Sequence, residues 1–359
     1  MSFGARAHIK LGALRHNLQV IRERSPGSKV MAVVKANAYG HGMVEAAETL
    51  ADADSLAVAR LSEAKTLRAA GIESPIVVLE GVFDADELDV AVSSDCEIVV
   101  HCIEQLEFLE SVGAGRMTVW LKFETGMNRL GLPASDAAQL IERARQCESI
   151  AELRLMSHLA NADDRQDEKS TEQVRLFESI AEGFDGDISI ASSPGIFGWP
   201  KLALAGAWVR PGIALYGISP FEETTGADLG LQAVMQLRSR LIAVKKIGAG
   251  ERVGYGGIWE AEEDSIIGIV AAGYADGYSR FLPSGTPVLV NSRRVPLAGR
   301  VSMDMIAVDL GAGANDKFGD PVLLWGDELP VEEIAGYAGT IPYQLVCGVA
   351  HREPTEFSD

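Results

Sequence analysis

From residue 29 to about 216 the chain repeats one pattern. A short apolar run is followed by a turn and then by a stretch whose apolar positions recur every three or four residues. The apolar runs predict eight strands: Val30–Lys35, Ser55–Arg60, Pro75–Glu80, Glu97–His101, Thr118–Phe123, Leu153–Leu159, Asp187–Ser192 and Trp208–Tyr216. Amphipathic stretches such as Met43–Leu50, Leu61–Ala70, Ile103–Val112, Ser135–Arg145 and Ser170–Gly183 predict helices between them, and Leu11–Arg24 predicts one more ahead of the first strand. Eight alternating units predict an α/β fold, a (β/α)8 TIM-type barrel with the first helix packed outside. An open doubly wound sheet is the rival, but the chain has no GxGxxG fingerprint.

Beyond Phe221–Gly230 the period changes. Leu237–Ile247, Ser265–Ala272, Thr286–Val290, Met305–Leu310 and Pro321–Leu324 read as strands divided by Gly, Pro and Asp turns, and only Val331–Ala338 reads as helix. The expected division is a barrel over residues 1–225 and a β-rich C-terminal domain over 226–359.

Composition changes little in this picture. The 359 residues are 47% hydrophobic and 23% charged, as in an ordinary soluble protein. No window has the apolar length of a membrane span, and the N-terminus carries no signal-peptide core, so the expected compartment is the cytoplasm. A formal net charge of −19 argues against nucleic acid or an anionic membrane as partner. Cys96, Cys102, Cys147 and Cys347 show no CxxC spacing and read as reduced, mostly core thiols; the six histidines show no metal-binding pair, so no metal is expected.

The chemistry starts at Lys35, where an apolar strand delivers one lysine to the rim of the barrel. Leaving a dry layer lowers an amine's pKa and suits it to Schiff-base formation and proton abstraction. Lys122, Arg129, His158, Ser193 and Arg210 fall at or just beyond the C-terminal ends of other strands, where barrels place their active sites. Ser192-Ser193-Pro194-Gly195 and Arg210-Pro211-Gly212-Ile213 offer hydroxyls and bare N–H groups after strands seven and eight, a common phosphate site. A reactive lysine facing a phosphate cup points to pyridoxal 5′-phosphate.

The motifs Val34-Lys35-Ala36-Asn37-Ala38-Tyr39-Gly40-His41-Gly42, Lys122-Phe123-Glu124-Thr125-Gly126-Met127-Asn128-Arg129, Arg210-Pro211-Gly212-Ile213, Val253-Gly254-Tyr255-Gly256, Gly273-Tyr274-Ala275-Asp276-Gly277-Tyr278 and Gly299-Arg300-Val301-Ser302-Met303-Asp304 closely resemble those of bacterial alanine racemases, pyridoxal-phosphate enzymes of fold type III. The resemblance runs nearly end to end. It implies that Lys35 bears the cofactor and is one acid/base, with Tyr255 the other. It implies phosphate contacts from Tyr39, Ser193, Gly212, Ile213 and Tyr343. Arg129 is implied at the cofactor's phenolic oxygen and, with Met303, at the substrate carboxylate. Arg210 is implied at the pyridine nitrogen, linked through His158 towards Tyr255. The family's head-to-tail homodimers imply that Tyr255 and Met303 reach the site from a second copy, with Asp163, Tyr274, Arg280 and Arg300 along the access corridor. Some members carbamylate the lysine that corresponds to Lys122.

Racemisation needs a proton taken from one face of Cα and returned on the other, hence two bases. An arginine at the pyridine nitrogen can only donate, which weakens the ring as an electron sink and favours quick reprotonation over transamination. Tyr255, Tyr343 and Met303 are expected to crowd the Cα substituent and favour alanine, with serine a weaker substrate. A non-enzymatic pyridoxal-phosphate carrier shares the barrel but lacks a second domain. A decarboxylase of basic amino acids shares both domains, but its cysteine-bearing loop has no match here. The ending Cys347-Gly348-Val349-Ala350-His351-Arg352-Glu353-Pro354 departs from the family's usual Ser-x-Arg-Val, and Met156-Ser157-His158-Leu159 is a slight variant.

Overall fold

A computed structural model of the chain describes residues 3–112, 115–199 and 207–359. Among these residues, eight parallel strands close into a barrel: β2 (Lys29–Val33), β3 (Ser55–Val58), β4 (Ile76–Val78), β5 (Cys96–Val100), β6 (Met117–Glu124), β8 (Ile150–Met156), β9 (Ile188–Ser192) and β10 (Trp208–Arg210). Closure comes from β5 pairing with β6 and from β10 pairing with β2, where Val209 stands opposite Val30. A two-residue strand, β7 (Leu132–Pro133), adds to the end of β6. The middle strands are buried along their whole length, as parallel strands covered on both faces must be.

The rim differs from the sequence expectation at two strands. β2 ends at Val33, so Lys35 stands just outside the ladder. The next four residues, Ala36, Asn37, Ala38 and Tyr39, all have φ of +53 to +54°, one left-handed turn built without glycine. Such a turn costs about 1–2 kcal/mol per residue, and its surroundings hold it in place. Ala38 N–H donates to Val34 O (2.8 Å), Ala36 N–H to Glu63 Oε1 (2.7 Å) and Met43 N–H to Asn37 Oδ1 (3.0 Å). Gly40 then lets the backbone pass where a Cβ would lie 2.2 Å from Val346 O. The eighth strand stops at Arg210 and does not run to Tyr216; Pro211 and Gly212 break it, and Ile213–Tyr216 form a 3-10 turn.

The helix Leu11–Arg24 packs outside the barrel, as expected, pinned by buried Asn17, which donates to Leu215 O (2.9 Å) and Gln232 O (2.8 Å). A helix at Ala85–Ser93, absent from the sequence reading, begins where Asp84 accepts the N–H of Glu87 at 2.8 Å.

The β-rich part is organised by one long strand, β11 (Met235–Ile247). Its first half pairs with β1 (Arg6–Lys10) and β18 (Pro321–Trp325), and its second half with β14 (Ser265–Val270). Register shifts at Leu237/Arg238 and Leu241/Ala243 accompany the exchange of partners. β15 (Pro287–Val290), β16 (Arg293–Pro296), β17 (Ile306–Asp309) and β19 (Glu356–Ser358) complete the sheet, and β12 (Arg252–Val253) with β13 (Trp259–Glu260) form a separate hairpin. Because β1 lies in this sheet, the division expected at 225/226 is not a single cut: residues 6–10 pair with the C-terminal strands. The helix Val331–Ala338 was expected, whereas Pro342–Cys347 is a second helix that the sequence did not announce.

Candidate active site

A cavity of about 1240 Å3 opens at the C-terminal ends of the barrel strands and is roofed by the two C-terminal helices. Lys35, Tyr39, Lys122, Arg129 and His158 line it. So do Asp163, Ser193, Arg210, Gly212, Ile213 and Tyr343, so residues far apart in sequence meet on one rim. Tyr255, Met303, Tyr274, Arg280 and Arg300 do not line it; all five are exposed on the β-rich part.

Lys35 is half-buried, and burial, reinforced by the Arg129 charge, lowers its pKa from the ordinary lysine value. The neutral amine therefore forms at a lower pH than in solvent. In the apoprotein, acylation of Lys35 is expected to rise through a midpoint below the usual lysine value, and Arg129→Ala to move that midpoint up. A pH series of labelling read by peptide mass checks this; an unshifted midpoint in Arg129→Ala contradicts it. Arg129 sits on a loop gathered by Glu124, whose carboxylate accepts from Gly126 N–H and from Arg129 N–H (3.3 Å). Burial pushes that carboxyl up, but backbone N–H groups of the loop outweigh it and hold the pKa below the usual value.

Arg210 is buried and locked. Its guanidinium donates to Ser189 Oγ (2.5 Å), Ser157 O (2.6 Å) and Ile190 O (3.3 Å), and Nη2 lies 3.2 Å from His158 Nδ1. Burial lowers its pKa to about 10, which leaves it protonated at neutral pH. Burial, then Arg210 and the other cations, pushes His158 well below its usual value. A neutral ring facing a guanidinium accepts at Nδ1. Lys122 is lowered to about 8 by burial and by the Arg210 and Arg129 charges.

Next to the lysine strand, where β10 pairs with β2, lies a small polar cup. Ser193 Oγ accepts the N–H groups of Gly212 (2.9 Å) and Ala214 (3.3 Å), fastening the loop after β10 to the loop after β9. A Cβ on Gly212 would lie 2.4 Å from the Tyr39 hydroxyl. Tyr39 packs on Tyr216 (ring centroids 4.9 Å), and Tyr216 Oη donates to Val33 O (2.8 Å) next to the lysine. The cup therefore suits an anionic group seated on backbone and hydroxyl donors, and the lysine lining the same cavity suits an aldehyde. Together they fit pyridoxal 5′-phosphate. Gly212→Ala forces Tyr39 to move, an overpacking cost of about 1–3 kcal/mol. It is expected to weaken cofactor binding to the apoprotein about tenfold, measured by absorbance titration; unchanged affinity contradicts the assignment of the cup.

Two features escaped the sequence reading. Cys347, grouped there with core thiols, is exposed and lines the cavity, whereas Cys96 and Cys147 are buried. Glu63 caps the lysine turn through Ala36 N–H, and its only advance signal is its place three residues after Arg60 at the start of a helix.

On the β-rich part, Tyr255 stands at the tip of the β12–β13 hairpin, in a turn flanked by Gly254 (φ +73°) and Gly256 (φ +75°), and is 69% exposed. Tyr274 N–H donates to Ser302 O (3.0 Å) and Ala275 N–H to Met303 O (2.9 Å), so the Tyr274 and Met303 turns form one unit. Arg300 lies beside the β12–β13 hairpin, its Nη1 lying 3.4 Å from where a Cβ on Gly256 would stand. Exposed Ile258, Phe281 and Met305 accompany them.

The family model described as alanine racemase, N-terminal domain, matches residues 9–220, and that of the alanine racemase C-terminal domain matches residues 234–357. The alanine racemase of Vibrio cholerae is 50% identical over 350 residues, which cover 97% of this chain and 96% of that one. A protein of Escherichia coli named "Alanine racemase, biosynthetic" is 51% identical over 354 residues, 98% of each chain. Among solved structures, the biosynthetic alanine racemase from Pseudomonas aeruginosa matches with a TM-score of 0.95 at 41% identity, covering 100% of both chains. The alanine racemase from Acinetobacter baumannii matches with a TM-score of 0.94 at 37% identity, covering 99% of this chain and 100% of that one. The chain belongs to the alanine racemase family of isomerases.

Proposed function

We propose that the protein interconverts L-alanine and D-alanine with pyridoxal 5′-phosphate held on Lys35, in a site completed by Tyr255 of a second copy. The convergence of Lys35, the Ser193–Gly212 cup and Arg210 on one cavity carries this reading. When bound, the cofactor supplies an electron-withdrawing ring that acidifies the Cα–H of the substrate. Everything else falls to the chain. Ser193, Tyr39, Gly212, Ile213 and Tyr343 hold the phosphate. Arg210, which donates and does not release its proton, keeps the pyridine nitrogen an acceptor. Arg129, with Met303 of the second copy, holds the substrate carboxylate. Lys35 moves the proton on one face of Cα and Tyr255 on the other.

Two observations support the shared site. The cavity exceeds the roughly 300–1,000 Å3 usual for a small-molecule pocket. Tyr255, Tyr274, Met303 and their apolar neighbours form an exposed patch of the kind that marks a protein contact. Asp163 on the rim, with Tyr274, Arg280 and Arg300 of the second copy, then forms the access corridor. The names of the Escherichia coli and Pseudomonas aeruginosa relatives favour a biosynthetic role, supply of D-alanine for peptidoglycan in the cytoplasm. Among the described residues no helix is long and apolar enough to cross a membrane.

The Lys122 side chain has no hydrogen bond or ion pair among the described residues, and with its pKa lowered to about 8 a fraction of its amine is neutral at physiological pH. That favours attack of its amine on carbon dioxide: an N–C bond forms, one N–H proton leaves to solvent, and the carbamate accepts from Arg129 and Arg210. Activity is expected to fall several-fold in carbon-dioxide-free buffer and to return with bicarbonate. Lys122→Ala should lose about tenfold in kcat/KM and ignore bicarbonate; a bicarbonate response in that variant contradicts the carbamate.

The whole reading is tested on purified protein by its absorbance with pyridoxal phosphate, borohydride reduction, peptide mapping and chiral assay of alanine. A reduced adduct at Lys35 together with interconversion of the enantiomers is expected. A colourless protein, or an adduct elsewhere, overturns it.

A further inference from the structure

Gln173 lies on the helix Lys169–Ile180 outside the barrel, and its side chain is completely buried. Its Nε2 donates to His158 O (3.1 Å) and to Thr125 Oγ1 (3.3 Å), while Oε1 accepts Ala160 N–H (2.8 Å). One amide thus grips the backbone on both sides of Leu159 and also the threonine that opens the Arg129 loop. Thr125 Oγ1 is in turn 2.7 Å from Ser157 Oγ, which donates to Phe123 O (3.0 Å), and Ser157 O receives Arg210 Nη2 (2.6 Å).

We propose that Gln173 is a positioning residue for the reaction: it fixes the His158 ring against Arg210 and couples that pair to the loop carrying Arg129. The roles of His158, Arg210 and Arg129 rest on the function proposed above; the coupling itself does not. The chemistry explains why an amide stands here. His158 O needs a donor and Ala160 N–H needs an acceptor, about one amide width apart, and only an Asn or Gln side chain offers both ends at any pH. A carboxylate would meet the His158 carbonyl with a second acceptor, and an aliphatic chain would leave the His158 carbonyl and the Ala160 N–H without this partner in a dry interior. With the backbone at 158–160 fixed, His158 Nδ1 meets Arg210 at 3.2 Å as an acceptor, which puts the ring proton on Nε2. Released backbone would let the ring turn and both tautomers populate.

The test uses full-length protein labelled with 15N in its histidines, compared as wild type and Gln173→Met, a near-isosteric change without hydrogen bonds. In the wild-type apoprotein the His158 resonances, identified by their loss in His158→Phe, should show one Nε2–H tautomer that does not titrate between about pH 5 and 8. In Gln173→Met they should move towards a mixed-tautomer average, and kcat should fall about tenfold with a smaller change in KM. A merely structural role would lower thermal stability while leaving the tautomer of the folded fraction unchanged, and that result overturns the proposal. If Gln173→Met does not fold, Gln173→Glu decides: at a pH where its carboxyl is ionised it keeps the bond from Ala160 N–H, loses the donation to His158 O, and must show the same tautomer shift. Because the nuclear readout is taken on apoprotein, it stands or falls separately from alanine turnover.

Discussion

Lys35→Ala is expected to lower alanine racemisation by at least about 10^4-fold, the upper end of what one acid/base contributes, because this residue also anchors the cofactor. The loss should lie in turnover and not in folding. The amine is half-buried beside Arg129 and its charged form is disfavoured there, so its removal relieves an unfavourable contact. The left-handed turn that follows is held by Glu63, Asn37 and the Val34 carbonyl, none of which depends on the lysine side chain. The thermal midpoint should therefore match the wild type, and borohydride should no longer fix the cofactor to the chain. Racemisation within tenfold of the wild type would show that another group does this work.

Tyr255→Phe is expected to lower turnover by about 10^2- to 10^4-fold, the range for one general acid or base. Only a hydroxyl is removed, from a side chain that is largely exposed on the isolated chain, so the fold is untouched. The informative part is asymmetric. With one base left, one alanine enantiomer should still exchange its α-proton in deuterium oxide, while exchange of the other and inversion should fall to that residual level. Cofactor capture by Lys35 should be unchanged. Continued inversion of both enantiomers would remove Tyr255 from the chemistry.

What the sequence revealed followed from pattern. The barrel strands are short apolar runs buried on both faces, and such runs stand out against the amphipathic helices between them. The strands therefore lie within a few residues of their expected places, and with them the side chains at their ends, from Lys35 to Arg210. The exceptions have physical causes. Ile213–Tyr216 is as apolar as a strand, but Pro211 cannot donate to the ladder, so the run turns into a 3-10 helix. β1 alternates basic and apolar residues over only five positions, and its partners are more than two hundred residues away. The left-handed turn at residues 36–39 contains no glycine to mark it; packing and Glu63 impose it. The helix Ala85–Ser93 did carry a signal, Asp84 followed three residues later by Glu87, although its apolar stripe is weak. Gln173 carries no signal of its own: it is one polar residue within the amphipathic stretch Ser170–Gly183. Tyr255 and Met303 could be placed only by resemblance, because nothing within one chain brings them to Lys35.

The most direct measurement uses two inactive proteins. Lys35→Ala and Tyr255→Phe chains, co-expressed with different tags, can be purified as the mixed dimer. If each site takes Lys35 from one copy and Tyr255 from the other, one of the two sites carries both defects and the second is intact, so the mixed dimer should recover about half of wild-type turnover. If both bases of a site belong to the same chain, every site is damaged and the mixed dimer should be as inactive as its parents.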